Sequence, residues 1–415
     1  MTALSAATEQ DALSLLTAQA VRSRAKQMLE LGRRDGLSHF TVHLDRMDAV
    51  ADAVLATIGK NYPSLDIPFH ARWRHFAIDG VDRWQQIAAA AAWPDRAARA
   101  RAEFDLAIVS VLLDAGAGAA WRYRDDVSGK AIGRSEGLAL ASLDMFAAGT
   151  FSSDPNDPYR GDADKLAGFS VSALERGFQV NADNPLVGLE GRADLLRRLG
   201  RQMISSKGIF GQRDASRPGG LFDHLVAQSG RGMIAAPVML HEVLLHLGPI
   251  WPSRLSLADI PLGDCWKYPA IKTGDATAGL VPLHKLSQWL TYSLIEPLQR
   301  AGLEVSDIDG LTGLAEYRNG GLFVDLGVLA LRDPLDAERS HQVDSALVVE
   351  WRALTVALLD LLVAKIRTGL DRDAASLPLA SLLEGGSWAA GRAAAYARRA
   401  DGSPPIKVVS DGTVF

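Results

Sequence analysis

The chain has 415 residues, 48% apolar and 22% charged, a globular balance that excludes a disordered chain. Its net charge of −5 excludes the basic excess that a nucleic-acid surface needs. A single cysteine, Cys265, excludes an internal disulfide and points to a reducing compartment, hence the cytoplasm.

Helical spacing recurs along the chain and strand-like alternation is scarce. Residues 11–33 place Leu13, Leu16, Val21, Met28 and Leu31 on one face and stop by Gly36. A second helix is expected over 45–58, ending at Gly59, and a third over 88–115, broken at Pro94. The pattern continues at 135–148, 162–176 and 189–203. Residues 283–298 and 345–366 are the strongest late helices, and 387–399 reads as an Ala/Arg helix that mostly faces solvent. The expected fold class is therefore mainly α, multi-helical, with few short strands.

Loops are expected where Gly, Pro, Asn and Asp cluster, at 149–161, 181–188, 205–220 and 261–279. The first could divide an N-terminal helical part, 1–150, from a C-terminal part, 151–415. Residues 404–415 are β-branched, extended and end on Phe415, so they are expected to dock as a strand or arm. The start of the chain lacks the basic-then-apolar order of a signal peptide. No apolar run reaches the roughly 18 residues of a membrane span. The most apolar stretch, 233–250, is interrupted by Pro237, His241, Glu242, His246 and Pro249.

Chemistry-bearing residues concentrate between Gly263 and Asp325. Asp264, Cys265, Trp266, Lys267 and Tyr268 join a carboxylate, a thiol, a cation and two aromatics in one loop. A packed loop anchored by Trp266 is the plain alternative. Lys285 and Trp289 share a helix face beside the Leu283, Leu286 and Leu290 stripe. Glu316 and Arg318 flank Tyr317 just before two glycines, either as an ion pair or as a charged pocket wall. Upstream, His70, Arg72, Trp73, Arg74 and His75 form a cationic, stacking-capable patch suited to a phosphate or a flat ligand. His241 and His246 lie five apart and do not share a helix face, so the zinc-protease motif is absent. No dinucleotide fingerprint or phosphate-binding P-loop is present, and Cys265 has no evident histidine partner.

Certain of these motifs resemble the uracil-catabolism protein four family, also called domain of unknown function 1688. The residues concerned are Phe69 to Phe76, Gly133 to Ala139, Glu175 to Val180, Gly263 to Trp266, Leu283-His284-Lys285 through Leu290, Glu316 to Gly321 and Ser410 to Phe415. The resemblance spans nearly the whole chain. It implies a part in a ring-opening route in which uracil is ribosylated, opened and finally releases urea.

The second half is also similar to the queuosine-salvage nucleosidases, in the order Arg192, Leu195, Leu199-Gly200, Lys285, Gln288, Leu311-Thr312, Glu316-Tyr317-Arg318 and Glu350-Trp351-Arg352. That likeness implies a DNA-glycosylase-like helical architecture and cleavage of an N-ribosyl bond. This chain departs from it by carrying Glu316 where an Asp is usual, and Asn319-Gly320-Gly321 in place of a proline turn.

Together these likenesses imply an N-ribosyl hydrolase that releases urea from a ribosylurea, with a 5′-phosphate. Breaking the C1′–N bond builds positive charge on the sugar, which a carboxylate stabilises. Asp264 and Glu316 are the candidates, with Asp325 third. Lys285 or Tyr317 would protonate the leaving nitrogen. Arg318 or the Arg72–Arg74 patch would hold phosphate, and Trp266 and Trp289 would wall the pocket, with His70, His75 and His284 as further substrate contacts. The expected partner is a small molecule, with no nucleic acid, membrane, metal or cofactor. An amidohydrolase of a ring-opened pyrimidine, or a non-catalytic nucleotide-binding protein of the same route, are the alternatives.

Overall fold

The computed structural model describes residues 3–114, 116–118, 120–211, 215–251 and 255–409. Helices dominate among them, and every strand is two or three residues long, paired in two-stranded ladders. The mainly α expectation holds. No helix among the described residues is long and apolar enough to cross a membrane.

Capping residues account for the differences from the expected helix limits. The single helix expected over 11–33 is two, Ala3–Ser14 and Ala18–Arg33. Thr17 divides them, its hydroxyl accepting from the Ala20 N–H at 3.1 Å. The break at Pro94 is present: Arg83–Ala90 ends before it, and Asp95 caps Arg96–Leu112 by accepting from Ala98 N–H. Likewise 162–176 splits into Ala163–Ala167 and Val171–Gly177, with Ser170 as the cap.

A continuous hydrophobic cluster runs from Leu16 to Ile406. Arg96–Leu112 packs against Lys285–Ala301, so the core is shared across the 150/151 boundary. At its centre lies Ala346–Leu370, buried on every side from Leu347 to Leu359. It touches Ala18–Arg33, Met47–Asn61 and the short helix Tyr317–Asp325.

Two close approaches hold that short helix. A Cβ on Gly320 would sit 2.7 Å from Trp351 Nε1, and one on Gly391 would collide with the Arg318 carbonyl oxygen. The helix Trp388–Arg398, expected to face solvent, is therefore drawn onto Tyr317–Asp325, burying Ala390, Gly391 and Ala395. Its small residues permit an approach that periodicity alone did not reveal. The tail docks as expected as far as it is described: Lys407–Val409 pairs in parallel with Ser340–Gln342, and Ile406 is fully buried. Residues Ser410 to Phe415 lie outside the described set.

Candidate functional site

Three helix starts meet at one place. The first is Lys285–Ala301. The antiparallel pair Cys265–Lys267 and Leu280–Pro282 sets Asp264 beside it. Asp264 Oδ2 accepts from the Lys285 backbone N–H at 3.0 Å. It does so in place of a local cap, because His284 occupies the N-cap position at φ 46° and donates Nε2–H to Leu15 O at 2.9 Å.

The remaining capacity of Asp264 is also taken. It accepts from Trp266 Nε1 at 2.6 Å and from both Arg352 Nη atoms at 2.8 Å. Burial alone would raise its pKa, but the Arg352 charge and these hydrogen bonds prevail and hold it at about 2. Asp264 is thus a permanent anion that fixes the start of the Lys285 helix.

Glu316 caps the second helix, Tyr317–Asp325, in the same manner. Its Oε2 accepts from Arg318 N–H at 2.8 Å and its Oε1 from Asn319 N–H at 2.6 Å. The third helix, Arg134–Ala147, has Gly133 at its N-cap, which offers no side-chain acceptor. Arg134 itself lies in the left-handed region at φ 58°, a strained position for a residue with a Cβ.

These three starts border one pocket, which encloses about 530 Å³ of space free of atoms, part of it open to solvent. Its cations are Lys285, Arg318 and Arg134, and its carboxylates are Asp114, Glu136 and Glu316. Rings from His70, His75, Trp289, Tyr317 and Trp388 form the walls. Aromatic walls with charged groups of both signs between them suit a small polar ligand.

Two of the three cations, Lys285 and Arg318, carry candidate roles, and none of the three has an ion-pair partner among the described residues. Among the described residues, no hydrogen bond or ion pair engages Lys285 Nζ, and burial lowers its pKa against the opposing charges of Glu316 and Asp114. The Arg318 guanidinium is held between rings, 4.9 Å from the centroid of Trp388 and 5.1 Å from that of Tyr317, with no carboxylate partner among the described residues. Burial raises the Tyr317 phenol, which makes it the weaker acid of the two candidate donors.

The histidines differ. His70 Nδ1 lies 2.7 Å from Glu384 Oε2, in a single π-helical turn, Leu383–Ser387. The contact with Glu384 occupies Nδ1 and leaves Nε2 as the ring nitrogen not engaged by Glu384. Although burial opposes it, the His70 hydrogen bond keeps Glu384 below the usual carboxylate range. His75 is pushed down to about 3 by burial and by the neighbouring Arg72, so its ring is neutral. Its Nδ1 has no hydrogen-bond partner among the described residues, and neither has Trp289 Nε1, 5.6 Å away between ring centroids.

The pocket gathers Glu316, Lys285, Tyr317, Arg318, His70, His75 and Trp289 from the sequence candidates. It does not gather Asp264, Trp266, His284, Arg72, Arg74 or Asp325. Arg72 is fully buried behind the wall, donating to Ser110 Oγ at 2.7 Å and pairing with Asp114 at 3.0 Å, so its charge is spent within the protein rather than offered to the pocket. Arg74 donates to both Glu296 oxygens at 2.8 Å, which neutralises the patch expected to hold phosphate. Asp325 is taken by Arg399 Nη1 at 2.8 Å. Trp266 and His284 serve the Asp264 and Leu15 contacts above. The buried Cys265 thiol is pushed up by burial, away from thiolate character.

Sequence reasoning missed Asp114, Trp388 and Glu384. No local pattern marks them, since each reaches the site through tertiary packing alone. Arg134, Ser135 and Glu136 did stand in a quoted motif, but without a role.

Over residues 14–415 the chain matches the family described as protein of unknown function, DUF1688. It is 40% identical over 410 residues to Protein urg3 of Schizosaccharomyces pombe, covering 97% of this chain and 98% of that protein. It is 38% identical over 429 residues to Uracil catabolism protein 4 of Lachancea kluyveri, covering 95% of this chain and 97% of that protein.

Proposed function

We propose, from the premise that this chain belongs to the DUF1688 family, that it acts in uracil catabolism by hydrolysing the N-ribosyl bond of a ribosylurea 5′-phosphate. The name of one relative, Uracil catabolism protein 4, supports the pathway. One observation carries the step: Lys285 and Arg318, two of three pocket cations with no ion-pair partner among the described residues, face the carboxylates Glu316 and Asp114 across one aromatic-walled pocket.

The roles follow from chemistry. As the C1′–N bond breaks, positive charge grows on the ribose, and Glu316, fixed in orientation by two backbone N–H groups, stabilises it. Lys285, a stronger acid for its burial, protonates the departing urea nitrogen. His70 Nε2 takes a proton from the attacking water while Glu384 holds the ring, and the water oxygen bonds to C1′. Arg318 and the open start of Arg134–Ala147 receive the phosphate, because guanidinium and free helical N–H groups both match its oxygens. Trp289 and Trp388 exclude bulk water.

The deciding experiment incubates the purified protein with ribosylurea 5′-phosphate and follows urea and ribose 5-phosphate. Equal release of both supports the proposal. Unchanged substrate without urea sinks it.

A further inference from the structure

A second cluster shares no residue with the pocket. His224 sits in Gly220–Gln228, while Glu242 and His246 sit four apart on one face of Ala236–Leu247. His224 Nε2 and His246 Nε2 both approach the same oxygen, Glu242 Oε2, at 2.7 Å and 3.1 Å. The two imidazole rings stand perpendicular, 5.1 Å apart. The three candidate ligand atoms all lie within 4.8 Å of one another.

We propose that His224, Glu242 and His246 form a binding site for a divalent first-row transition ion, with zinc the best match, joining two helices outside the pocket.

His224 Nε2 lies 2.7 Å from the Glu242 oxygen and 2.8 Å from the Gln228 amide nitrogen. A cation here takes a lone pair from each ring and from the carboxylate together. Zinc binds imidazole nitrogen and carboxylate oxygen at about 2.0–2.2 Å, so ligands already this close need only small side-chain movements.

The His246 carbonyl accepts from Gln202 at 3.0 Å, anchoring the end of that helix to Leu189–Ser205. Both histidines are partly open to solvent while Glu242 is buried, so water reaching the histidine side completes a four-coordinate shell. The arrangement is that of a staple between helices.

The sequence pattern could not show this site. His241 and His246 are on different faces, and His241 bonds to Leu16 O at 2.9 Å. The second imidazole comes from another helix.

The test uses the full chain, stripped of metal by a chelator, then titrated with Zn²⁺ by calorimetry and with Co²⁺ by visible absorption. One equivalent of Zn²⁺ is expected to bind with micromolar or tighter affinity and to raise Tm. His246→Gln and His224→Gln are each expected to weaken binding about 100-fold, with His241→Gln unchanged. Co²⁺ is expected to give the intense spectrum of a four-coordinate site. Absence of stoichiometric binding, the weak spectrum of six-coordinate Co²⁺, or wild-type affinity in both histidine variants overturns the proposal. The wild-type spectrum decides even where a variant does not fold.

Discussion

Arg352 grips Asp264 with two parallel hydrogen bonds, 2.8 Å each, inside the core. The pair orients the start of the helix that carries Lys285, since the same carboxylate accepts from the Lys285 backbone N–H. Arg352→Ala is expected to cost about 3–5 kcal/mol, because it strands a buried carboxylate, as read by urea unfolding. The double change Arg352→Met with Asp264→Leu should recover much of that loss. A single variant as stable as wild type would refute the clamp.

Asp264 also sets a window of acid sensitivity. Its folded pKa of about 2 lies below the ordinary 3.8, so its contribution is complete above the ordinary value. That contribution, about 2 kcal/mol, is lost as pH falls from 3.8 toward 2. Asp264→Asn should unfold with a flatter pH dependence in that interval, measured by denaturation at fixed pH steps.

His75 acts at higher pH. Folding holds it neutral to about 3, whereas the unfolded chain protonates it near 6.5. The unfolded state thus binds more protons between these values, and stability falls as pH drops from 6.5 toward 3. His75→Phe should reduce that fall while wild type retains it, as seen in Tm against pH.

Lys285 and Arg318 separate chemistry from binding. Lys285→Met is expected to lower kcat on ribosylurea 5′-phosphate by about 100-fold or more, with KM little changed. Because burial depresses its pKa below 10.5, wild type gains stability as pH rises from that lowered value toward 10.5, and the variant lacks this gain. Arg318→Gln is expected to raise KM about 10- to 100-fold for the phosphorylated substrate and little for ribosylurea itself. Equal effects on both substrates would remove Arg318 from the phosphate.

Gly391→Ala places a methyl against the Arg318 carbonyl. Overpacking there is expected to cost about 1–3 kcal/mol and to weaken substrate binding as the Trp388 ring shifts. Denaturation and substrate titration would check both.

Much of the helical pattern was legible because apolar residues recur at helical spacing and Pro94 marks a break. Splits at Thr17 and Ser170 were less legible, since caps interrupt a helix without interrupting its apolar stripe. In the site, Lys285, Glu316 and Arg318 stood out as charges beside aromatics. The work of Asp264 and Glu316 as caps did not. Glutamate is not a favoured cap residue, and Asp264 caps from 21 residues away. Asp114, Trp388 and the ion pair that retires Arg74 depend on tertiary contacts alone.

The last described residues bear on the pocket as well. Arg399 holds Asp325, the Pro405 ring abuts Gly321, and Lys407–Val409 completes a ladder with Ser340–Gln342. The helix that presents Arg318 is thus secured from one side by residues 399–409. During synthesis, a chain released from the ribosome short of that stretch would hold every pocket residue yet lack the brace behind one of them. A nascent or proteolysed form ending near Arg398 should therefore fold most of its core and still bind ligand loosely.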